Sequence, residues 1–241
     1  IGDKVRQAER LRARSRKLET QNHLLNIRYI PTYADKNFHK KTCQVDCNAL
    51  TERIDSHFYP PQVKEYFEKI DVPTVPLSQL LGKVFNGQSK PIVEDTGVAQ
   101  ATVANLSQLF LSGPYRRVDV VNTSTRYLQE HDLLLCNSAH QKGYIGREIT
   151  YFQGSQNEDR IYPSTEVMVI RVDQKLVPAS YVRSYLLTDI GYLQIQSTIR
   201  GISAHSYPAD IELIQIPIPK VVGEEKDIWF RGDEDLILAG R

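Results

Sequence analysis

The sequence predicts an α+β fold with a mixed or antiparallel sheet, flanking helices and a long N-terminal helix. Apolar residues recur every three or four positions in some segments, as in helices, and alternate with polar residues in others, as in strands. Hydrophobic residues make up 41% and charged residues 24% of the 241 positions, a globular balance. The longest apolar runs, such as Leu133 to Cys136, are much shorter than the roughly 18–20 residues of a membrane helix. We therefore expect a soluble protein without a membrane partner.

The first predicted element is a helix within residues 1–28. Ile1, Val5 and Ala8 open a series of three- and four-residue steps that continues to Leu25. A helix of this length is not stable on propensity alone, so we expect it to pack, in the manner of a coiled coil, against another helix or domain. Its first twenty residues carry seven Lys or Arg and three Asp or Glu, a net charge of +4. Such a run is more often a solvated helix face than a nucleic-acid contact.

Residues 29–220 are predicted to form the main domain. After a connector, Pro60 and Pro61 start a short helix within Thr51–Ile70, because proline is well suited to the first helical turn. Val75 to Gly82 predicts a second helical turn that the glycine ends.

Strands follow the two helical segments. β-Branched, alternating or continuously apolar runs predict four of them, and the second and third flank a polar loop, Asn137 to Gly143. The four are Tyr115 to Val121, His131 to Cys136, Tyr144 to Phe152 and Glu166 to Val172.

The end of the domain returns to helix and closes on a strand. Pro178 starts a predicted helix over Ala179–Gln194, followed by a helical stretch over 196–199. Asp210 to Ile218 predicts an edge strand, since its prolines cannot donate to a ladder. Residues 221–241 are an acidic C-terminal segment.

Charge is unevenly distributed along the chain. The acidic segment has three Lys or Arg and six Asp or Glu, a net charge of −3, and the residues between the two ends sum to zero. The total of +1 excludes a histone-like polycation and leaves a local basic face possible.

The cysteine usage predicts a reduced, cytoplasmic setting. Three cysteines are an odd count for a disulfide framework, and the first residues contain no apolar core of a signal peptide. The chain begins at Ile1 and has a single methionine, Met168, so we expect it to be a piece of a longer protein.

Three separated groups of segments, in their order and spacing, resemble a target recognition domain of the DNA-specificity (S) subunit of type I restriction–modification enzymes. The likeness spans about residues 48–219, and the basic N-terminal helix is similar to the conserved helix that follows the first recognition domain in such subunits. One departure is clear, because the family continues into a second long helix where residues 221–241 are acidic and contain Trp229. The segments are Leu50 to Pro61 with Val75 to Gly82, Tyr127 to Cys136 with Gly143 to Gly146, and Tyr181 to Gly191 with Ile199 to Ser203 and Leu213 to Pro219.

The resemblance implies a non-catalytic module, without cofactor or metal, that binds double-stranded DNA at a defined sequence. It implies methyltransferase (M) subunits as partners, restriction (R) subunits through them, and a second recognition domain or second copy packed through the N-terminal helix. A recognition domain within a single-chain restriction enzyme fused to its own adenine methyltransferase is the alternative of the same chemistry.

Bases are read by bidentate groups at their edges, chiefly Arg or Lys at guanine and Asn or Gln at adenine. We expect these groups first in the loop after the second strand, next among the arginines near the first strand, and then in the loop before the closing strand. An arginine of the first strand could instead pair with Asp119 or another carboxylate. The predicted DNA-binding residues are Asn137, Ser138, His140, Gln141, Lys142 and Arg147, then Arg116, Arg117 and Arg126, then Arg200, His205 and Tyr207.

An intracellular thiol or zinc enzyme is the alternative from another class. Cys136 with His140 is a possible nucleophile and base, although Cys136 ends an apolar strand and fits a buried small residue better. A loosely spaced zinc site could use His39, Cys43, Cys47 and His57.

Two further enzyme classes lack their motifs. Gly143 and Gly146 are without the strand–loop–helix context of a phosphate loop. The proline pair of Tyr59 to Gln62 does not supply a methyltransferase motif.

Overall fold

The structure is a computed structural model that describes residues 56–94, 96–107, 109–120, 125–155, 158, 160–201, 203–220 and 231–235. The predicted helix over 1–28 and the connector after it lie outside the described residues. The chain divides into two compact units, Ile1–Lys69 and Ile70–Arg241.

The first unit contains a 3₁₀ turn, Ser56–Phe58, and helix α1, Pro61–Lys69. The helix confirms the prediction, with Pro61 at the first helical position, where the missing N–H costs no helical hydrogen bond. A salt bridge of 3.8 Å between Lys64 and Glu68 joins successive turns of the helix.

The second unit confirms the α+β prediction. It contains eleven strands among the described residues, three further 3₁₀ turns and helices α2, α3 and α4. The strands are β1 Thr74–Pro76, β2 Leu81–Asn86, β3 Val98–Ala101, β4 Arg116–Val118, β5 Leu133–Cys136, β6 Ser138–Ala139, β7 Ile149–Tyr151, β8 Ile161–Pro163, β9 Val167–Val172, β10 Ala204–His205 and β11 Gln215–Pro217. The 3₁₀ turns are Leu77–Leu80, Val103–Asn105 and Lys142–Tyr144, and the helices are α2 Ala179–Leu186, α3 Asp189–Ser197 and α4 Pro208–Ile211.

A four-stranded antiparallel sheet in the order β2-β9-β5-β7 is the centre of this unit. Its two inner strands, β5 and β9, are apolar along almost their whole length, which is the pattern of strands covered on both faces. All four residues of β5 and five of the six in β9 are buried. Both strands were predicted, and their continuous apolar runs agree with their burial.

A second sheet has the order β4-β3-β8, with β3 antiparallel to β4 and parallel to β8, so the sheets are mixed as predicted. Two short antiparallel pairs, β1 with β11 and β6 with β10, complete the strands. The β1–β11 pair agrees with the predicted edge position of the closing strand.

Several predicted elements have different bounds in the structure. The strand expected over Tyr144–Phe152 is shortened to β7, Ile149–Tyr151, because Tyr144 belongs to a 3₁₀ turn. The helical turn expected over Val75–Gly82 is a 3₁₀ turn over Leu77–Leu80, and Gly82 belongs to β2. The closing strand is shorter than Asp210–Ile218, because Pro208 begins α4 before β11. The long helix expected over Ala179–Gln194 is two helices.

The break between α2 and α3 comes from Thr188. Its hydroxyl accepts a hydrogen bond of 3.1 Å from the Gly191 amide and caps α3. A Cβ at Gly191 would lie 2.2 Å from the Tyr185 carbonyl oxygen, so the close approach of the helices requires glycine.

Part of the acidic C-terminal segment packs on the domain. Residues 231–235 are helical, and the buried carboxylate of Asp233 accepts hydrogen bonds of 2.8 and 2.7 Å from the amides of Ala179 and Ser180. Pro178 cannot cap α2 with its side chain, so Asp233 supplies this N-cap from a distant part of the sequence.

A buried ion pair also stabilises the second unit. Arg171 in β9 donates to both carboxylate oxygens of Asp132, at 2.7 and 2.8 Å, and Asp132 is 0% exposed. No helix among the described residues combines the length and hydrophobicity needed to span a membrane.

Candidate nucleic-acid interface

The loop over residues 137–147, between β5 and β7, meets the loop before the closing strand. Strand β6 in the first pairs with β10 in the second, with Ala139 opposite Ala204 and Ser138 opposite His205. Two predicted groups of DNA-binding residues, separated by about sixty positions in sequence, therefore lie on one surface.

Asn137 anchors this surface. Its side chain is 4% exposed, and its amide donates a 3.0 Å hydrogen bond to the Thr165 carbonyl. Its backbone amide donates a hydrogen bond to the Glu166 carbonyl, and its backbone carbonyl accepts one from the Ser206 amide. We therefore revise the role predicted for Asn137, because a buried amide in this position holds the loop and does not reach a base edge.

Helix α3 supports the next part of the loop, the 3₁₀ turn over Lys142–Tyr144. Gln196, which is 6% exposed, donates through Nε2 to the carbonyls of Lys142 at 3.1 Å and Ile145 at 2.7 Å. The Tyr192 hydroxyl donates to the Gly143 carbonyl at 2.8 Å. Residues four positions apart share one face of a helix, so this face of α3 fixes the backbone of the turn.

Gly146 permits the close contact between the loop and α3. Its φ is +67°, a left-handed conformation, and a Cβ there would lie 2.5 Å from Cγ2 of Ile195. A side chain at this position would push the loop away from the helix.

A groove of about 660 Å³ lies along the surface. His140, Gln141 and Arg147 line it with exposed side chains, and Lys142, also exposed, follows Gln141 in the loop. These are donors and acceptors of the kinds that read base edges.

Several groove residues were not predicted, among them Tyr144, Glu148 and Glu166. Tyr144 is 52% exposed, and the Arg147 guanidinium lies 5.5 Å from the centre of its ring. Both glutamates are next to predicted features, Arg147 and the start of β9, which is the only sequence signal for them.

The residues from the second loop flank the groove. His205 lines it, next to its pairing partner Ser138 of the first loop. Arg200 is paired with the buried carboxylate of Asp210, and its guanidinium lies 5.8 Å from the ring centre of exposed Tyr207. Arg200 therefore brings a positive charge that is already partly compensated.

The arginines near the first predicted strand do not line the groove. Arg117 donates to both carboxylate oxygens of Glu158 at 2.6 and 2.7 Å, and Arg116 donates to Gln100 at 2.7 Å. Arg126 donates to the Asn86 carbonyl at 2.7 Å. The alternative in which an arginine of this strand pairs with a carboxylate holds for Arg117, with Glu158 and not Asp119 as the partner.

Comparison with known proteins identifies solved structures of similar fold. No protein-family model and no curated protein matches the sequence. A chain from a study of complex assembly and conformational transition of the type I restriction–modification system has a TM-score of 0.50 at 13% identity, over 98% of this chain and 51% of that one. The protein shares the fold of this type I chain. At such identity the likeness defines the fold and confirms the one that the resemblance implied, and function has to be argued from the site.

Other solved structures show weaker similarity. The HsdS subunit from Thermoanaerobacter tengcongensis has a TM-score of 0.46 at 13% identity, over 98% of this chain and 50% of that one. The type IIG restriction endonuclease BpuSI has a TM-score of 0.46 at 10% identity, over 78% and 28%. The chain spans about half the length of the type I chains.

The surroundings of Cys136 do not suit a catalytic nucleophile. Its side chain is buried, its thiol donates to the Ser138 carbonyl at 3.0 Å, and burial raises the pKa of the thiol. Among the described residues, no three His, Cys, Asp or Glu residues are grouped to hold a metal ion. His39, Cys43 and Cys47 of the zinc alternative lie outside them.

Proposed function

We propose that this chain is the sequence-reading module of a type I restriction–modification enzyme, and that the groove and its two loops contact the base edges of duplex DNA. One observation carries the proposal: exposed hydrogen-bonding side chains surround a groove on a backbone that buried groups of a helix hold in place. A fixed backbone limits the conformational entropy lost on binding, which favours selective recognition.

Several side chains in and beside the groove suit particular base edges. Gln141 fits adenine, where an amide both donates and accepts, and Lys142 and Arg147 fit guanine, which offers two acceptors. Glu148 and Glu166 suit the exocyclic amino group of cytosine, because a carboxylate only accepts. Tyr144 offers an apolar ring for a thymine methyl group. His140, His205 and Ser138 supply further polar contacts at the margin of the groove.

The partners belong to the same proposal. Methylation and cleavage are assigned to M subunits and, through them, to R subunits, since neither a cofactor nor a catalytic group is needed for sequence reading. The basic helix predicted over residues 1–28 would join a second recognition domain or a second copy, and the assembly would act in the cytoplasm.

The test begins with the full chain and a library of duplexes with a randomised central region. DNA retained by the protein is sequenced over successive rounds, and binding to the enriched duplex is compared with binding to a scrambled duplex of equal length. We expect one defined motif. Retention without enrichment of any motif would refute sequence reading.

Single-residue variants then show which side chains contact bases. Gln141→Ala and Lys142→Ala are expected to weaken binding to the enriched duplex by about 1–3 kcal/mol for each lost base contact and to relax one base position. Gln129→Ala is a matched control, because Gln129 is exposed and precedes β5 at the end away from the loop. An equal loss on enriched and scrambled duplexes would assign the residue to phosphate contact.

A further inference from the structure

Among the cationic side chains that lie over aromatic rings in the described part of the second unit, four form a group of their own beside β2 and β8. Two are exposed and two are half-buried, and all come from strands or loops beside β2 and β8. We call them the cationic patch: Lys83, Lys90, Arg126 and Arg160.

The rings hold the charges in place. The Lys83 ammonium and the Arg126 guanidinium lie 5.1 and 5.6 Å from the centre of the Phe85 ring. Attraction to the ring face favours one position for side chains that would otherwise sample many. The Arg171 guanidinium also lies 5.5 Å from this ring, but Asp132 balances its charge, so Lys83 and Arg126 are the two cations here to which a bound anion would be attracted.

Two tyrosines extend the patch. The Arg160 guanidinium lies 5.2 Å from the Tyr127 ring centre, and the Lys90 ammonium 5.8 Å from that of Tyr162. The tyrosine rings themselves are 5.7 Å apart, edge to face. Arg160 and Lys90 are thus linked through a packed aromatic pair.

The groove residues carry little net positive charge. Most affinity of proteins for duplex DNA comes from neutralising phosphates with Lys and Arg. Glu148 and Glu166 line the groove, and Arg200 beside it is paired with Asp210. The Glu148 and Glu166 carboxylates offset the charges of Arg147 and the adjacent Lys142, so a second cationic surface would add to the affinity.

The patch borders the groove through a shared turn. The Gly87 amide, just after β2, bonds to the Val167 carbonyl at 3.0 Å, and the Asn137 amide bonds to the Glu166 carbonyl at 3.0 Å. The turn over residues 164–166 therefore separates the segment that leads to Lys90 from the groove loop. Tyr162, whose ring lies under the Lys90 ammonium, is two positions before this turn.

We propose that the cationic patch binds the phosphates of the same duplex whose bases the groove reads. The proposal rests on the proposed function. The groove would then distinguish sequences, and the patch would supply affinity that is independent of sequence and sensitive to salt.

The test measures the dissociation constant of the full chain for the enriched and the scrambled duplex over a series of salt concentrations. Lys90→Gln and Arg160→Gln, singly and together, remove charge at the two positions of the patch that lie over tyrosine rings. We expect weaker binding to both duplexes by the same factor, and a salt slope shallower by about 0.9 for each lost phosphate contact. Lys175→Gln is the matched control, because Lys175 is exposed after the far end of β9, and its slope should equal that of the unmodified chain.

Charge-preserving variants protect the test against misfolding. Lys90→Arg and Arg160→Lys should keep the slope, and thermal unfolding shows whether each variant is folded. Unchanged slopes in folded Gln variants that still bind DNA would overturn the role of the patch and leave the readout proposal standing. Failure of the unmodified chain to bind either duplex would overturn both proposals.

Discussion

Replacing Gln196 by methionine should loosen the turn over residues 142–145 and leave α3 intact. Methionine is similar in length and is a good helix former, but it has no amide to donate. Two buried hydrogen bonds to loop carbonyls, at 3.1 and 2.7 Å, would be lost. At about 0.5–1.5 kcal/mol net for each, the free energy of unfolding should fall by about 1–3 kcal/mol.

The assay has two parts. Urea denaturation of both proteins gives the difference in unfolding free energy, and hydrogen exchange gives the protection of the Tyr144 and Ile145 amides, which bond within the turn at 3.1 and 3.0 Å. We expect faster exchange at these amides and weaker binding to the enriched duplex. Gln129→Met, at an exposed position, should change stability by no more than about 0.5 kcal/mol. Equal stability and equal exchange in Gln196→Met would refute the argument that α3 holds the loop.

Three other predictions concern the domain that carries the groove. Asp233→Ala should lower the free energy of unfolding by about 0.5–2 kcal/mol in urea denaturation, because α2 loses its N-cap, whereas Asp233→Asn, which keeps an acceptor, should cost less. Asp132→Ala should cost about 3–5 kcal/mol in the same assay, since it leaves Arg171 without its buried partner, and a loss below 1 kcal/mol would contradict that view. Cys136 should be alkylated by iodoacetamide much more slowly at pH 8 in the native than in the denatured protein, as judged by peptide mass spectrometry, because burial lowers its thiolate fraction; fast native alkylation would revive the thiol alternative.

Local sequence signals predicted the parts of the fold that local physics determines. Strands β5 and β9 are continuous apolar runs, and α1 begins at a proline followed by helical spacing. Strands β3 and β8 were missed because each is short and their parallel pairing joins residues about sixty positions apart. Ala99 in β3, for example, has a low intrinsic β-propensity and is buried because other parts of the chain pack on it, so its own sequence segment does not indicate a strand.

In the candidate site, too, local features could be predicted and long-range contacts could not. The polar loop after β5 could be recognised from its position between two strands, but the contacts that fix it come from Tyr192 and Gln196 in a helix that reads as ordinary core. The pairing of Arg117 with Glu158 spans forty-one positions, so the sequence could suggest a carboxylate partner for the arginine and could not identify which one.

Where charges lie matters more for a DNA-binding chain than their total. Charges interact appreciably only within about 8–10 Å at physiological salt, so a phosphate responds to the few side chains beside it and not to the net charge of +1. With acidic groups in the groove and cations gathered over Phe85, Tyr127 and Tyr162, the same neutral domain presents two surfaces of different character. On the two proposals, substitutions among residues 140–147 should change the recognised sequence and leave the salt-sensitive affinity in place, because the groups assigned to bases are separate from those assigned to phosphates.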